Sequence, residues 1–149
     1  MITRPSDVVS VYESTDRYTS LVAGLETQAC RSCPSERRIV QLLHQIIDDG
    51  RAQLIGSVRQ ELLSGLREEA QFRRLRDYLR DFPDLALALE DFEEAARAGN
   101  ECRKAGIATN PVDMQICAVS LHHGCQILST DRDFANYASV LPIELFPSA

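Results

Sequence analysis

The sequence predicts a three-layer α/β/α fold around a mainly parallel sheet, and three observations carry that expectation. Short apolar runs alternate with longer stretches whose apolar residues recur at three and four positions. Glycine, asparagine and proline fall where one kind of stretch gives way to the other. Strands separated by helices favour parallel pairing, since each helical crossover carries the chain back to the edge it left. With 149 residues, 44% of them apolar, the chain can fill one hydrophobic core, and a single domain is expected.

Residues 1–33 form an atypical segment with few periodic apolar positions. Only Val8, Val9 and Val11 beside Tyr12 suggest a short strand, so the N-terminal strand of the fold is expected to be atypical or missing. The character changes at 34, and residues 34–146 read as the folded domain. Ser35 can cap a helix carrying Ile39, Leu42, Leu43, Ile46 and Ile47, which ends at Asp49-Gly50. Ala52 to Ile55 reads as a strand and Val58 to Leu66 as a helix interrupted by Gly65. Glu68 to Phe82 follows as a helix closed by Pro83, and Leu85 to Leu89 as a strand or extended connection. Glu90 to Lys104 is a helix ended by Gly106. Asn110-Pro111 starts another that runs to about His123, because Asn caps well and proline is tolerated at the first helical position. Gln126 to Ser129 reads as a buried strand, Asp131 to Ala138 as a helix and Ile143 to Leu145 as a last short strand.

Composition narrows the function. A net charge of -6 argues against a surface that wraps nucleic acid through uniform basicity. Arginine is nevertheless concentrated at Arg59, Arg67, Arg73, Arg74, Arg76 and Arg80, so a local basic face can coexist with an acidic pocket. Five cysteines and no secretory leader point to a reduced, cytoplasmic protein, and no apolar run approaches the length of a membrane span. Cys30 and Cys33 have the spacing of half a zinc site, but no second close pair completes it. Cys117 falls on the apolar side of its helix, and His122-His123 at that helix's end answer its dipole.

Ligands in open parallel sheets gather beyond the carboxyl ends of the strands. Glu61, Asp113 and Asp131 fall there, with Asp133 beside them. Taken singly, each is an ordinary acid in a first helical turn. Taken together, clustered carboxylates repel one another unless a cation neutralises them, and oxygen ligands suit Mg²⁺ or Mn²⁺.

The words around these acids add more. Val58-Arg59-Gln60-Glu61-Leu62-Leu63-Ser64-Gly65-Leu66-Arg67 resembles the second acidic motif of PIN-domain ribonucleases of the VapC toxin type. Pro111-Val112-Asp113-Met114-Gln115-Ile116-Cys117-Ala118 resembles the third, and Ile127-Leu128-Ser129-Thr130-Asp131-Arg132-Asp133-Phe134 the fourth. The order and spacing agree over residues 34–146. The resemblance implies that Glu61, Asp113 and Asp131 ligate or orient Mg²⁺ or Mn²⁺, that Asp133 assists, and that Thr130 positions a carboxylate or water. It also implies an RNA substrate, an antitoxin partner and a homodimer. Arg59, Arg67, Arg73 and Arg74 are the candidate RNA contacts.

The chain departs from that family at its start. Such proteins open with a buried strand ending in Asp-Thr-Ser, shortly before a tryptophan, and this chain has no tryptophan. Asp16 stands at about the right distance before Glu61 but is followed by Arg17-Tyr18, so it is a positional substitute for the first ligand. Read one base out of register, codons for Arg17, Tyr18 and Leu21-Val22 can encode Asp, Thr and Trp, which suggests a shifted frame before residue 34. The expected activity is metal-dependent RNA hydrolysis. The alternative is a PIN-like protein, impaired by its first segment, that binds antitoxin or RNA without cleaving; a metal-independent helical scaffold is a third reading.

Overall fold

A computed structural model describes residues 8–10, 41–42, 45–129 and 131–147. Four strands form one parallel sheet: β1 (Val8–Ser10), β2 (Ala52–Ile55), β3 (Asp84–Leu85) and β4 (Gln126–Leu128), in the order β3-β2-β1-β4. The helices with described bounds that connect and flank them are α1 (Gly56–Ser64), α2 (Glu69–Leu79), α3 (Leu89–Lys104), α4 (Pro111–His123) and α5 (Asp133–Ala138). The architecture is the expected three-layer α/β/α arrangement.

The first strand is short but present, and it is central. Val8 stands opposite both Ala52 and Gln126, and Ser10 opposite Leu128. Its backbone is paired along both edges, with β2 on one side and β4 on the other, which is how three residues with so weak a signal hold this place. Beyond β4, Ile127 and Leu145 form a parallel bridge. The Ile127 N–H donates to the Glu144 carbonyl at 2.8 Å, and the Phe146 N–H donates to the Ile127 carbonyl at 2.8 Å. The last predicted strand is thus reduced to one bridge.

Boundaries elsewhere moved for local reasons. Of the helix expected after residue 34, positions 41–42 and 45–48 are helical, and Gly50 ends it with φ 65°, a conformation that suits glycine. Its expected cap, Ser35, lies outside the described residues. α1 begins at Gly56 and stops before Gly65. α2 stops at Leu79 because Asp81 and Phe82 donate to the carbonyls of Tyr78 and Leu79, turning the chain before Pro83. Only Leu85 of the Leu85–Leu89 stretch pairs as a strand, and Leu89 already begins α3.

The core lies between the sheet and the helices. Leu54, Ile55, Val58, Leu62, Leu75, Leu79, Ile116, Val119, Ile127, Phe134 and Tyr137 are all buried. α4 is the inner helix: Met114 and the five residues Ile116–Ser120 are buried, which explains why its sequence is apolar nearly all round. Cys117 is in that core, as expected, and burial, reinforced by the nearby Asp113 charge, pushes its thiol up to about 12. Cys102, Cys117 and Cys125 are buried; Cys30 and Cys33 lie outside the described residues. Among the described residues, no helix is long and apolar enough to cross a membrane.

Candidate metal centre

α4 enters the site under tight local control. The Asn110 side chain accepts the Val112 N–H at 2.9 Å and Pro111 occupies the first helical position, so the Asp113 carboxylate is not needed as a cap. It is left half-buried and turned toward α5, where the Tyr137 hydroxyl donates to its Oδ2 at 3.1 Å. Burial raises the Asp113 carboxyl to about 6; the charges of Asp131, Glu61 and Asp133 add to the rise, while the Tyr137 hydrogen bond opposes it. Tyr137 is itself pushed well above the usual phenol range, first by burial and then by the Asp113 charge. Four acids distant in sequence therefore share one electrostatic environment.

The remaining three differ in how free they are. The Asp131 N–H donates to Ser129 Oγ at 3.0 Å, and its Oδ1 accepts the Asp133 N–H at 2.8 Å. This Asx turn starts α5 at Asp133, two residues later than the sequence predicts, and it commits one Asp131 oxygen to the backbone. Asp133 is exposed and accepts from Asn136 Nδ2 at 3.4 Å. Glu61 is exposed on α1, one turn after Ser57, whose hydroxyl hydrogen-bonds Gln115 on α4. That contact ties the helices bearing Glu61 and Asp113 to each other.

Among the described residues, no three His, Cys, Asp or Glu side chains are arranged to close on one ion. The four acids are oxygen donors suited to a hard divalent cation, and their mutual repulsion is what such a cation relieves. Asp16 and Thr130 lie outside the described residues.

Several arginines proposed as RNA contacts are engaged within the fold. Arg59 makes a bidentate pair with Asp84, with Nη2 to Oδ1 at 2.7 Å, and fastens α1 to the start of β3. Arg73 pairs with Glu69 one turn earlier, and Arg76 and Arg80 with Asp77. Arg67 and Arg74 are exposed. Sequence reasoning overlooked Tyr137 and Arg132. Tyr137 carries no local signal, being 24 residues from the carboxylate it contacts. Arg132, between Asp131 and Asp133, is exposed and forms no ion pair among the described residues.

A second polar cluster lies where α3 begins and α4 ends. Asp91 is only 1% exposed, and its Oδ2 accepts the Ala88 N–H at 2.8 Å. Its Oδ1 bonds His122 Nδ1 at 3.0 Å and His123 Nε2 at 3.1 Å. Burial disfavours the Asp91 charge, but these donors outweigh it and hold the carboxyl below its usual range. The two histidines thus answer a carboxylate on a neighbouring helix as well as their own helix's end.

Solved structures with this fold are similar over nearly the whole chain. FitAcB from Neisseria gonorrhoeae has a TM-score of 0.66 at 16% identity, covering 95% of this chain and 97% of that one. DNA-bound VapBC from Salmonella typhimurium gives 0.67 at 11% identity, covering 97% and 99%. VapBC2 from Rickettsia felis, bound to a promoter DNA fragment, gives 0.67 at 10% identity, covering 93% and 97%. These likenesses define a PIN-like α/β fold. No curated protein matches the chain. The PIN domain family model matches residues 31–140, and the chain belongs to that family; β1 precedes the matched region.

Proposed function

We propose that this PIN-domain protein is a VapC-like toxin, a metal-dependent endoribonuclease. The observation that carries the reading is the half-buried Asp113, held by Tyr137 and acted on by the charges of Asp131, Glu61 and Asp133 at the carboxyl end of the sheet. Mg²⁺ or Mn²⁺ bound there would neutralise these acids, lower the pKa of a bound water and polarise a phosphoryl oxygen. Asp113, Asp131 and Glu61 are the residues to hold it. Tyr137 hydrogen-bonds the Asp113 carboxylate and orients it, and Asp133 would accept a proton from a water. Arg132 offers an uncommitted positive charge to a neighbouring phosphate. By resemblance to VapC-type proteins and to the VapBC structures, an antitoxin and a second copy of the chain are its protein partners.

A second reading is favoured by the first segment, which lacks the Asp-Thr-Ser opening and the tryptophan of such proteins. In it, the chain keeps the fold and binds antitoxin or RNA without cleaving. Labelled RNA incubated with Mg²⁺ or Mn²⁺, beside Glu61→Gln and Asp113→Asn variants and a chelator, separates the two. Cleavage lost in both variants and in chelator supports the nuclease. A folded protein that leaves RNA intact supports binding alone.

A further inference from the structure

We propose that Gln115 is a positioning residue for the metal centre: by accepting the Ser57 hydroxyl it sets the spacing of α1 and α4, and with it the affinity of Glu61 and Asp113 for a divalent ion. The inference rests on the metal-binding part of the proposed function and adds to it a residue that holds neither ion nor RNA.

α1 needs such a contact. It is nine residues long, no side chain caps its start, and its buried residues are Val58 and Leu62. It packs chiefly against β2 and α2, whereas the acid that Glu61 must face stands on α4. Glu61 is itself exposed, so burial of its own side chain does not place it. Ser57 lies four residues earlier. Residues at that spacing share a helix face, about 6 Å apart along the axis. A bond that draws Ser57 to α4 therefore turns the face carrying Glu61 the same way, and the Glu61 charge acts on Asp113 from there.

Each of the two helices is held from two sides. On α4, Asp113 accepts from Tyr137 of α5, while Gln115, two residues on and roughly 200° around the helix, accepts from Ser57 of α1. On α1, Arg59 pairs with Asp84 of β3 and stands two residues from both Ser57 and Glu61, on the opposite face. The Ser57–Gln115 bond joins the two held helices. Its value lies in the small tolerance of the ion: side chains reach roughly 5–6 Å from a helix axis, so a turn of about 20° would carry the Asp113 carboxylate about 2 Å. Mg²⁺ holds its oxygens at roughly 2.0–2.1 Å in near-ideal geometry.

Gln115 is the polar exception on its stretch of α4. Met114 and Ile116 on either side are buried and apolar, and Gln115 borders a hollow of about 280 Å³ between α3 and α4 that Pro111 and Met114 also line. Methionine, of similar length and without the amide, suits those surroundings, so Gln115→Met removes the bond and keeps the packing.

Mn²⁺ binding to the full chain, followed by electron paramagnetic resonance of the free ion, tests the role of Gln115 independently of cleavage. Ser57→Ala and Gln115→Met are each expected to weaken binding about fivefold to tenfold, toward the low end of what contacts behind metal ligands contribute. The double variant should fall within about twofold of either single one, because both remove the same bond. Ser57→Thr keeps the hydroxyl and should stay within about twofold of wild type, and thermal melts confirm that every variant folds. Single variants that bind like wild type, losses that multiply in the double variant, or a Ser57→Thr as weak as Ser57→Ala each overturn the role of Gln115 while leaving the metal centre in place. A folded wild-type chain that binds no Mn²⁺ overturns both.

Discussion

Asp113 carries a charge that the fold resists, and the resistance has a pH signature. Its folded pKa, about 6, is raised above the ordinary 3.8. Its contribution to stability is therefore fully present below about pH 4 and lost as pH rises through 6. In metal-free protein, Asp113→Asn should raise Tm at pH 7.5 by about 4 °C, an order-of-magnitude figure for a partly solvated group in a chain of this size. The gain should vanish near pH 4. Equal melting temperatures for variant and wild type at both pH values would contradict the burial argument. Arg132 gives a second prediction: Arg132→Ala should weaken RNA binding about threefold to tenfold and flatten its salt dependence by about one phosphate contact. Unchanged affinity and salt slope would return this arginine to the solvated surface.

At the scale of elements, the joint between α3 and α4 depends on Asp91. Ala88 has no side-chain acceptor, so only the reciprocal half of a capping box is made, with Asp91 reaching back to the Ala88 N–H while both histidines bind its other oxygen. Asp91→Ala leaves three donors without their acceptor and should cost about 3 kcal/mol in urea unfolding at pH 7. Because this carboxyl is held below its usual range, its stabilisation is present above about pH 3.8 and lost as pH falls through the folded value. The gap between variant and wild type should thus close in acid; a gap constant down to pH 3 would assign the loss to packing. The start of α4 offers a milder case. Asn110→Ala removes the acceptor for the Val112 N–H and should cost about 1 kcal/mol, measurable in the same unfolding experiment.

For the whole molecule, the question is what the acidic site does when a cation is present. A divalent ion that binds the native state stabilises it by mass action, so 5 mM Mn²⁺ should raise the wild-type Tm and leave Asp113→Asn nearly unmoved, read by thermal shift; the concentration is on the order of that needed for a weak exposed site. A helical scaffold without a metal would show no ion-dependent difference between the two.

Most of the fold was legible in the sequence because its signals are local. The Asn110-Pro111 cap, Gly50 and Gly106 at helix ends, and the apolar run Ala52–Ile55 each act through adjacent backbone, and each element formed where those residues stand. Three acidic words in order likewise pointed to the PIN family before any geometry was known. Tertiary structure decided what depends on distant neighbours. Val8 and Val9 suggested a short strand, but its central place between β2 and β4 depends on backbone partners that three residues cannot announce for themselves. Tyr137 meets Asp113, and His122 and His123 meet Asp91, only because packing brings separate helices together. Arg59 was spent on Asp84 for the same reason. Backbone propensity is written residue by residue, whereas burial and charge belong to the assembled chain, and it is burial and charge that raise the Asp113 carboxyl.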